Sequence, residues 1–397
     1  MRAWHSMMRQ IQPWACSLRV QFENLLRVPA PLSLQAPHVR GTGSVQAFWN
    51  TFVIASIPAW LTGLWNVGYQ ANLAIAQLQL RELPGWRAAI LENAGIGFEA
   101  SNIFACFIHG FLWFLPVFVT ALLAGAICQA LFSQIRRRPP DDGLLYIAWF
   151  FTLLMPATVP LLQVVLGMAF GVIMGKLVFG GSGRYLFNPA LLGAAFLVIS
   201  YPGLIFGPGA WVPVIGYEQP TVLELVIDEG GFAVFAALDY RWLQLFLGNQ
   251  PGGFGTSSVL AILLGAAWLV FAGVASWRVI LGSFAGLACT VFLFNFLGAE
   301  NPLFAIPWYW HAVLGGFAFA TVFIATDPVA GALTSPGRWT FGAMVGFFTV
   351  IIRLANPSYY EGVMFAILLA STFTPLVDHA VVALHARRRA AREQGSA

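Results

Sequence analysis

Four side chains in this sequence are of a kind that lipid penalises and chemistry uses: His311, Asp327, Asp378 and His379 all lie in or beside long apolar runs. An acid placed there faces a partner or a wet cavity, so Asp327 in FIATDPVAGAL and Asp378 in FTPLVDH are candidate ion ligands. Structural alternatives stand beside each. Thr326-Asp327-Pro328 reads equally as a helix cap followed by proline, ordering a re-entrant turn. Asp378 could pair with Arg387 or be solvated. Gly180-Gly181-Ser182-Gly183-Arg184 has neither the P-loop nor the dinucleotide spacing and follows no strand, so it reads as a tight turn between helices. The four cysteines, Cys16, Cys106, Cys128 and Cys289, have no C-x-x-C spacing, which argues against a zinc site or a disulfide framework. No catalytic triad is apparent.

The elements that must position these residues are set by composition. Of 397 residues, 59% are apolar and 9% charged, whereas a soluble domain carries about 25% charge. Fifteen Trp and 35 Phe suit a chain lying among acyl chains with anchors at two interfaces. Runs of about 20 apolar residues, somewhat fewer where a helix is broken, predict an all-α polytopic fold with ten spans. They cover roughly 47–70, 104–132, 144–158, 160–179, 186–205, 257–274, 278–297, 308–325, 339–353 and 360–380. With the first 46 residues inside, only Arg81, Arg87, Arg241 and Arg353 of the 20 basic residues fall outside, which places both termini in the cytoplasm of a bacterial inner membrane. The net charge of +4 is therefore a signature of topology and not of nucleic-acid binding.

Five regions follow: a cytoplasmic arm at 1–46, five helices over 47–205, a periplasmic loop at 206–256, five more helices over 257–380, and a basic tail at 381–397. A loop of that length inside a compact membrane protein is usually functional or a docking surface. Asn188-Pro189 opens the fifth span and Asn356-Pro357 precedes the tenth. A five-helix repeat is odd in number, so its second copy must enter from the opposite side, giving inverted repeats. Asn-Pro also starts helices on its own, so chance likeness is the competing explanation.

Three stretches carry a family resemblance: KLVFGGSGRYLFNPALLGAAFLVISYP (176–202), LAILLGAAWLVFAGVASWRVILGS (260–283), and HAVLGGFAFATVFIATDPVAGALTSPGRW (311–339) continuing through IIRLANPSYYEGVMFAILLASTFTPLVDH (351–379). They resemble the B-type membrane subunit of the sodium-translocating NADH:quinone oxidoreductase and, next, the D-type membrane subunit of the Rnf ferredoxin:NAD oxidoreductase complex. The resemblance implies ten helices in inverted repeats, partner subunits of an Nqr- or Rnf-like complex, flavin carriers and quinone as substrate. It implies FMN on a threonine of an Asp-Gly-x-Ser-Gly-Ala-Thr segment in the periplasmic loop. That threonine corresponds to Thr221, preceded here by Ile215-Gly216-Tyr217-Glu218-Gln219-Pro220, so the acid and the Ser-Gly-Ala run are replaced. A quinone pocket at Gly-Gly-x-x-Glu corresponds to Gly125 and Gln129, with the acid replaced by an amide. An asparagine pair tied to a second, unattached flavin such as riboflavin corresponds to Tyr185 and Asn188, and the acid assigned to sodium uptake corresponds to Asp378.

Three readings follow: an electron-carrying subunit of such a complex, a divergent paralogue without covalent FMN acting as scaffold or ion conduit, and a stand-alone small-solute channel.

Overall fold

The computed structural model describes residues 45–80, 84–137, 142–228, 232–297, 306–355 and 361–394. The arm, Cys16 and the Asn356-Pro357 half of the expected repeat lie outside them. Apolar runs become helices because in lipid every backbone polar group must be bonded within its own segment. α1 (Val45–Gln77), α2 (Ile103–Arg136), α3 (Leu144–Leu154), α4 (Leu161–Val172), α5 (Pro189–Ser200), α6 (Val259–Phe271), α7 (Trp277–Leu297), α8 (Trp308–Val313), α9 (Ser335–Ala355) and α10 (Val363–Gln394) carry the framework. Among the described residues there is no strand. Among the described residues five helices are long and apolar enough to cross a membrane, namely α1, α2, α7, α9 and α10, while α3 to α6 are shorter apolar segments. Phe271 and Phe296 are 91% and 88% exposed, a surface that suits acyl chains and not water.

Helices in lipid gain no hydrophobic drive from meeting each other, so close backbone approach at small residues holds them together. On α7 and α9 the spacing Gly282/Gly286 meets Gly342/Gly346. A Cβ on Gly286 would lie 2.3 Å from the Ala343 carbonyl oxygen, and one on Gly346 would lie 2.1 Å from that of Ser283. α1 and α2 cross in the same way, with Gly68 against Cys106 and Gly110 against Leu64. Any side chain larger than hydrogen at these points separates the helices.

Among the described residues two segments run through π turns. α4 runs into a π turn at Ile173–Leu177, and the stretch after α8 runs through Phe317–Phe319 into a π turn at Ala320–Ile324. Each π turn is followed, after the same interval, by a polar-proline helix start: Asn188-Pro189 for α5 and Ser335-Pro336 for α9. The local likeness between the halves therefore pairs Asn188 with Ser335. π turns are rare and concentrate at functional sites, where they release backbone groups and re-aim side chains.

Candidate functional site

The two broken segments meet on a buried carboxylate. After its π turn the second segment turns at Asp327, which is 1% exposed. No helix starts there. Asp327 opens an Asx turn, its Oδ1 accepting from the Val329 N–H at 2.8 Å, and the next helix begins at Ser335. From the first half, Asn188 caps α5, its amide oxygen accepting the Ala190 and Leu191 N–H groups at 3.0 and 3.3 Å. The same side chain turns its amide nitrogen to Asp327 Oδ2 at 2.7 Å and to the Tyr146 hydroxyl oxygen at 3.0 Å. Tyr146 donates to Oδ2 at 3.3 Å, and Tyr185 donates at 3.0 Å to Oδ2 and 3.2 Å to Oδ1. Every contact made to the carboxylate is a donor's, an arrangement built around an anion. Among the described residues its bonded partners are phenols, an amide and backbone N–H groups, none of them a cation. A buried anion satisfied only by neutral donors lacks its counter-charge.

Asp378 lies beside this site and supports it. Its carboxylate accepts from the Leu333 N–H at 2.8 Å, the Thr334 N–H at 3.0 Å and the Thr334 hydroxyl at 2.5 Å, anchoring the far end of the Asp327 turn to α10. Gly125 is a packing position: a Cβ there would lie 2.5 Å from Leu144 Cδ1 and 2.7 Å from Met168 Cε. Gln129, one turn on, is buried on the same helix.

At the opposite end of the α8 segment the break Leu314–Gly316 is held differently. Arg353, 1% exposed on α9, donates to the carbonyls of His311 and Leu314 at 2.8 and 2.9 Å. Glu361 accepts the Gly316 N–H at 2.7 Å. Gly315 has φ +67°, and a Cβ there would lie 2.6 Å from Glu361 Oε2, so only glycine fits. Glu361, Thr221, Gln250, Thr256 and Ser257 line a cavity of about 20 Å³. A second cavity, of about 800 Å³, lies among Trp86, Arg87, Phe98, His109, Trp113 and the loop Ile215–Glu218. Arg87 stacks over Trp113 at 3.8 Å and Trp86 at 4.6 Å. Neither Gly125 nor Gln129 lines either cavity.

Thr221 stands in a reciprocal cap of the helix Val222–Asp228. Its hydroxyl accepts the Glu224 N–H at 3.2 Å, while its own N–H donates to the Glu224 carboxylate at 3.3 Å. It is 6% exposed. The residues as placed do not fit a phosphoester-linked flavin: Thr221 lines the smaller cavity, about large enough for a single water. Nor does Asn188 have spare capacity for a second flavin, since both its amide hydrogens and its oxygen are engaged.

Sequence reasoning singles out Asp327, Asp378 and Asn188, and the structure brings Asp327 and Asn188 into direct contact. It misses Tyr146, Arg353 and Glu361 as site residues. The signal for Glu361 is present in the sequence, as an acid just before a long apolar run.

Comparison with known proteins matches residues 33–386 to the model of the NQR2, RnfD, RnfE family. The chain is 41% identical over 373 residues to the B-type subunit of the Na(+)-translocating NADH-quinone reductase of Pseudomonas aeruginosa, covering 93% of this chain and 92% of that protein. It is 42% identical over 366 residues to the protein of the same name from Chromohalobacter salexigens, covering 92% and 88%. For that of Azotobacter vinelandii the figure is 40% over 373 residues, covering 93% and 92%.

Proposed function

Because this chain belongs to the NQR2, RnfD, RnfE family, we propose that it is the membrane subunit of a sodium-translocating NADH:quinone oxidoreductase, working with the other subunits of that complex and with quinone as the electron acceptor. Its relatives carry that name along nearly their whole length. The observation that carries the ion-coupling part is Asp327: a buried carboxylate at the meeting of two π-broken segments, bonded to neutral donors alone. Sodium takes hard oxygen ligands, and a site built on broken helices offers carboxylate and freed carbonyl oxygens together. Asp378 fixes the turn that presents Asp327 and stands toward the inner mouth of the path. Ten spans in two inverted halves, with both termini cytoplasmic, are part of this reading. It is supported by the matching π turns and by the distribution of basic residues. Gln129, buried near the end of α2 where Gly125 keeps the helices close, stands at the position that the resemblance gives to quinone. In this subunit the protein's task is to hold the ion path and exclude water from it. No step of the reading passes through a flavin on Thr221 or Asn188.

The test is sodium uptake by proteoliposomes holding the whole complex, driven by NADH and a soluble quinone. Wild type accumulates sodium, and Asp327→Asn, nearly the same size, loses sodium-stimulated turnover by about 100-fold, equivalent to roughly 3 kcal/mol. Uptake by the variant at the wild-type rate would remove Asp327 from the path.

A further inference from the structure

We propose that Thr221 is the cap of the helix Val222–Asp228 and carries no covalent flavin, so that any flavin this subunit holds is held without a bond to the chain. The inference rests on the family reading only for the expectation it denies.

Three observations carry it. First, the hydroxyl is already employed. It accepts the Glu224 N–H at 3.2 Å while Glu224 returns its carboxylate to the Thr221 N–H at 3.3 Å, which ties both ends of the first turn. An ester leaves that oxygen a poorer acceptor for the Glu224 N–H and sets a phosphate charge beside the Glu224 carboxylate, which weakens the reciprocal arrangement.

Second, the direction is wrong. Ile215, Gly216, Tyr217 and Glu218 line the cavity of about 800 Å³, which is of ligand size, whereas Thr221 lines the one of about 20 Å³. Three residues after the loop leaves the large cavity, the chain has turned the threonine into the protein.

Third, the small cavity is bounded by the clamp at the α8 break. Glu361 and Gly315 form its other wall, and Glu361 bonds the Gly316 N–H at 2.7 Å. Room for a flavin there requires opening the buried contacts that hold that break.

The local sequence gives the same result from the other direction. Pro220 fixes the backbone entering the cap, and Glu218-Gln219-Pro220 stand where an attachment segment would place Ser-Gly-Ala. A proline immediately before the acceptor removes one N–H and stiffens the approach of any modifying enzyme.

The experiment uses the complete complex purified from its own membranes, with the flavin-attaching enzyme present. Intact mass and in-gel fluorescence of the denatured subunit are read beside an FMN-bearing positive control. The expected result is an unmodified, dark chain. Thr221→Asn separates cap from anchor, because asparagine caps as well as threonine and cannot form the ester. It keeps turnover within about twofold, while Thr221→Ala lowers the melting temperature of the complex by several degrees. An FMN-sized mass on Thr221, or loss of quinone reduction in Thr221→Asn with assembly intact, would overturn the inference and leave the family reading standing. A wild-type complex with no NADH:quinone activity would instead defeat the family reading.

Discussion

Two carboxylates, Asp327 and Glu361, stand at the two ends of one broken segment, both buried, and a fixed cation is beside one of them alone. Glu361 lies near Arg353, a fixed cation whose guanidinium also bonds the free carbonyls of the break. Asp327 is surrounded by two phenols, an amide and the N–H groups of its own turn. The first arrangement has its counter-charge built in, though Arg353 Nε and His311 Nδ1 stay without a hydrogen-bond partner. The second is complete in hydrogen bonds and incomplete in charge, and a mobile cation supplies what the protein does not. A break closed by a fixed cation is a joint, whereas one closed by neutral donors can admit an ion.

The largest expected effect comes from breaking the joint. Arg353→Met removes the donors to His311 and Leu314 and leaves Glu361 as a buried charge without its counter-charge, a loss of about 3–5 kcal/mol. Measured as subunit recovered in the purified complex, the single variant falls sharply. Adding Glu361→Gln to it restores much of the yield, since the stranded charge is gone. Full recovery of the single variant would mean that Arg353 does not hold the break and that the two ends are not opposites.

How much of this is legible in sequence depends on the range of the interaction. The helices are readable because a lipid-spanning run needs only length and apolarity, and α7 falls at Trp277–Leu297 against an expected 278–297. Ends set by other forces are less so: α10 continues to Gln394 because its Ala- and Arg-rich tail is a strong helix former after the span ends. Asp327 is visible by its type alone. Its partners are not, because a tyrosine in an apolar run ordinarily reads as an interface anchor. Nothing local says that Tyr146 and Asn188, from the first half, turn to a residue in the second. The repeat read at Asn356-Pro357 lies outside the described residues; among the described ones Asn188-Pro189 and Ser335-Pro336 each follow a π turn by the same interval, since either serine or asparagine can open a helix before proline.

A middle-sized effect tests whether the neutral donors tune the ion site. Tyr185→Phe removes one hydroxyl that donates to Asp327, at 3.0 Å to Oδ2, and leaves the ring in place. A hydrogen bond to a charged group is worth about 1.5–3 kcal/mol. With that donor gone the carboxylate attracts a cation more strongly. Half-saturating sodium therefore falls about tenfold, and turnover falls with it because release becomes slower. A rise would show instead that the phenol oxygen is itself a sodium ligand. No change in either quantity would place sodium elsewhere.

The smallest effect concerns Asp378, where resemblance and geometry differ most. The resemblance makes it an ion-uptake acid, whereas its oxygens are occupied by the Leu333 N–H, the Thr334 N–H and the Thr334 hydroxyl. If its role is to hold the Asp327 turn against α10, Asp378→Asn retains one acceptor and weakens the anchor by about 1 kcal/mol, the value of an ordinary hydrogen bond. Turnover then drops by no more than about threefold, and half-saturating sodium hardly moves. A ligand acid behaves otherwise: losing its charge raises half-saturating sodium by about tenfold or more while leaving the saturated rate near wild type. The two kinetic quantities separate the roles because an anchor acts on how Asp327 is presented, and a ligand acts on how strongly the ion is held. The anchor pattern is expected, since all three donors on Asp378 come from Leu333 and Thr334 at the far end of the Asp327 turn, so the carboxylate ties that turn to α10.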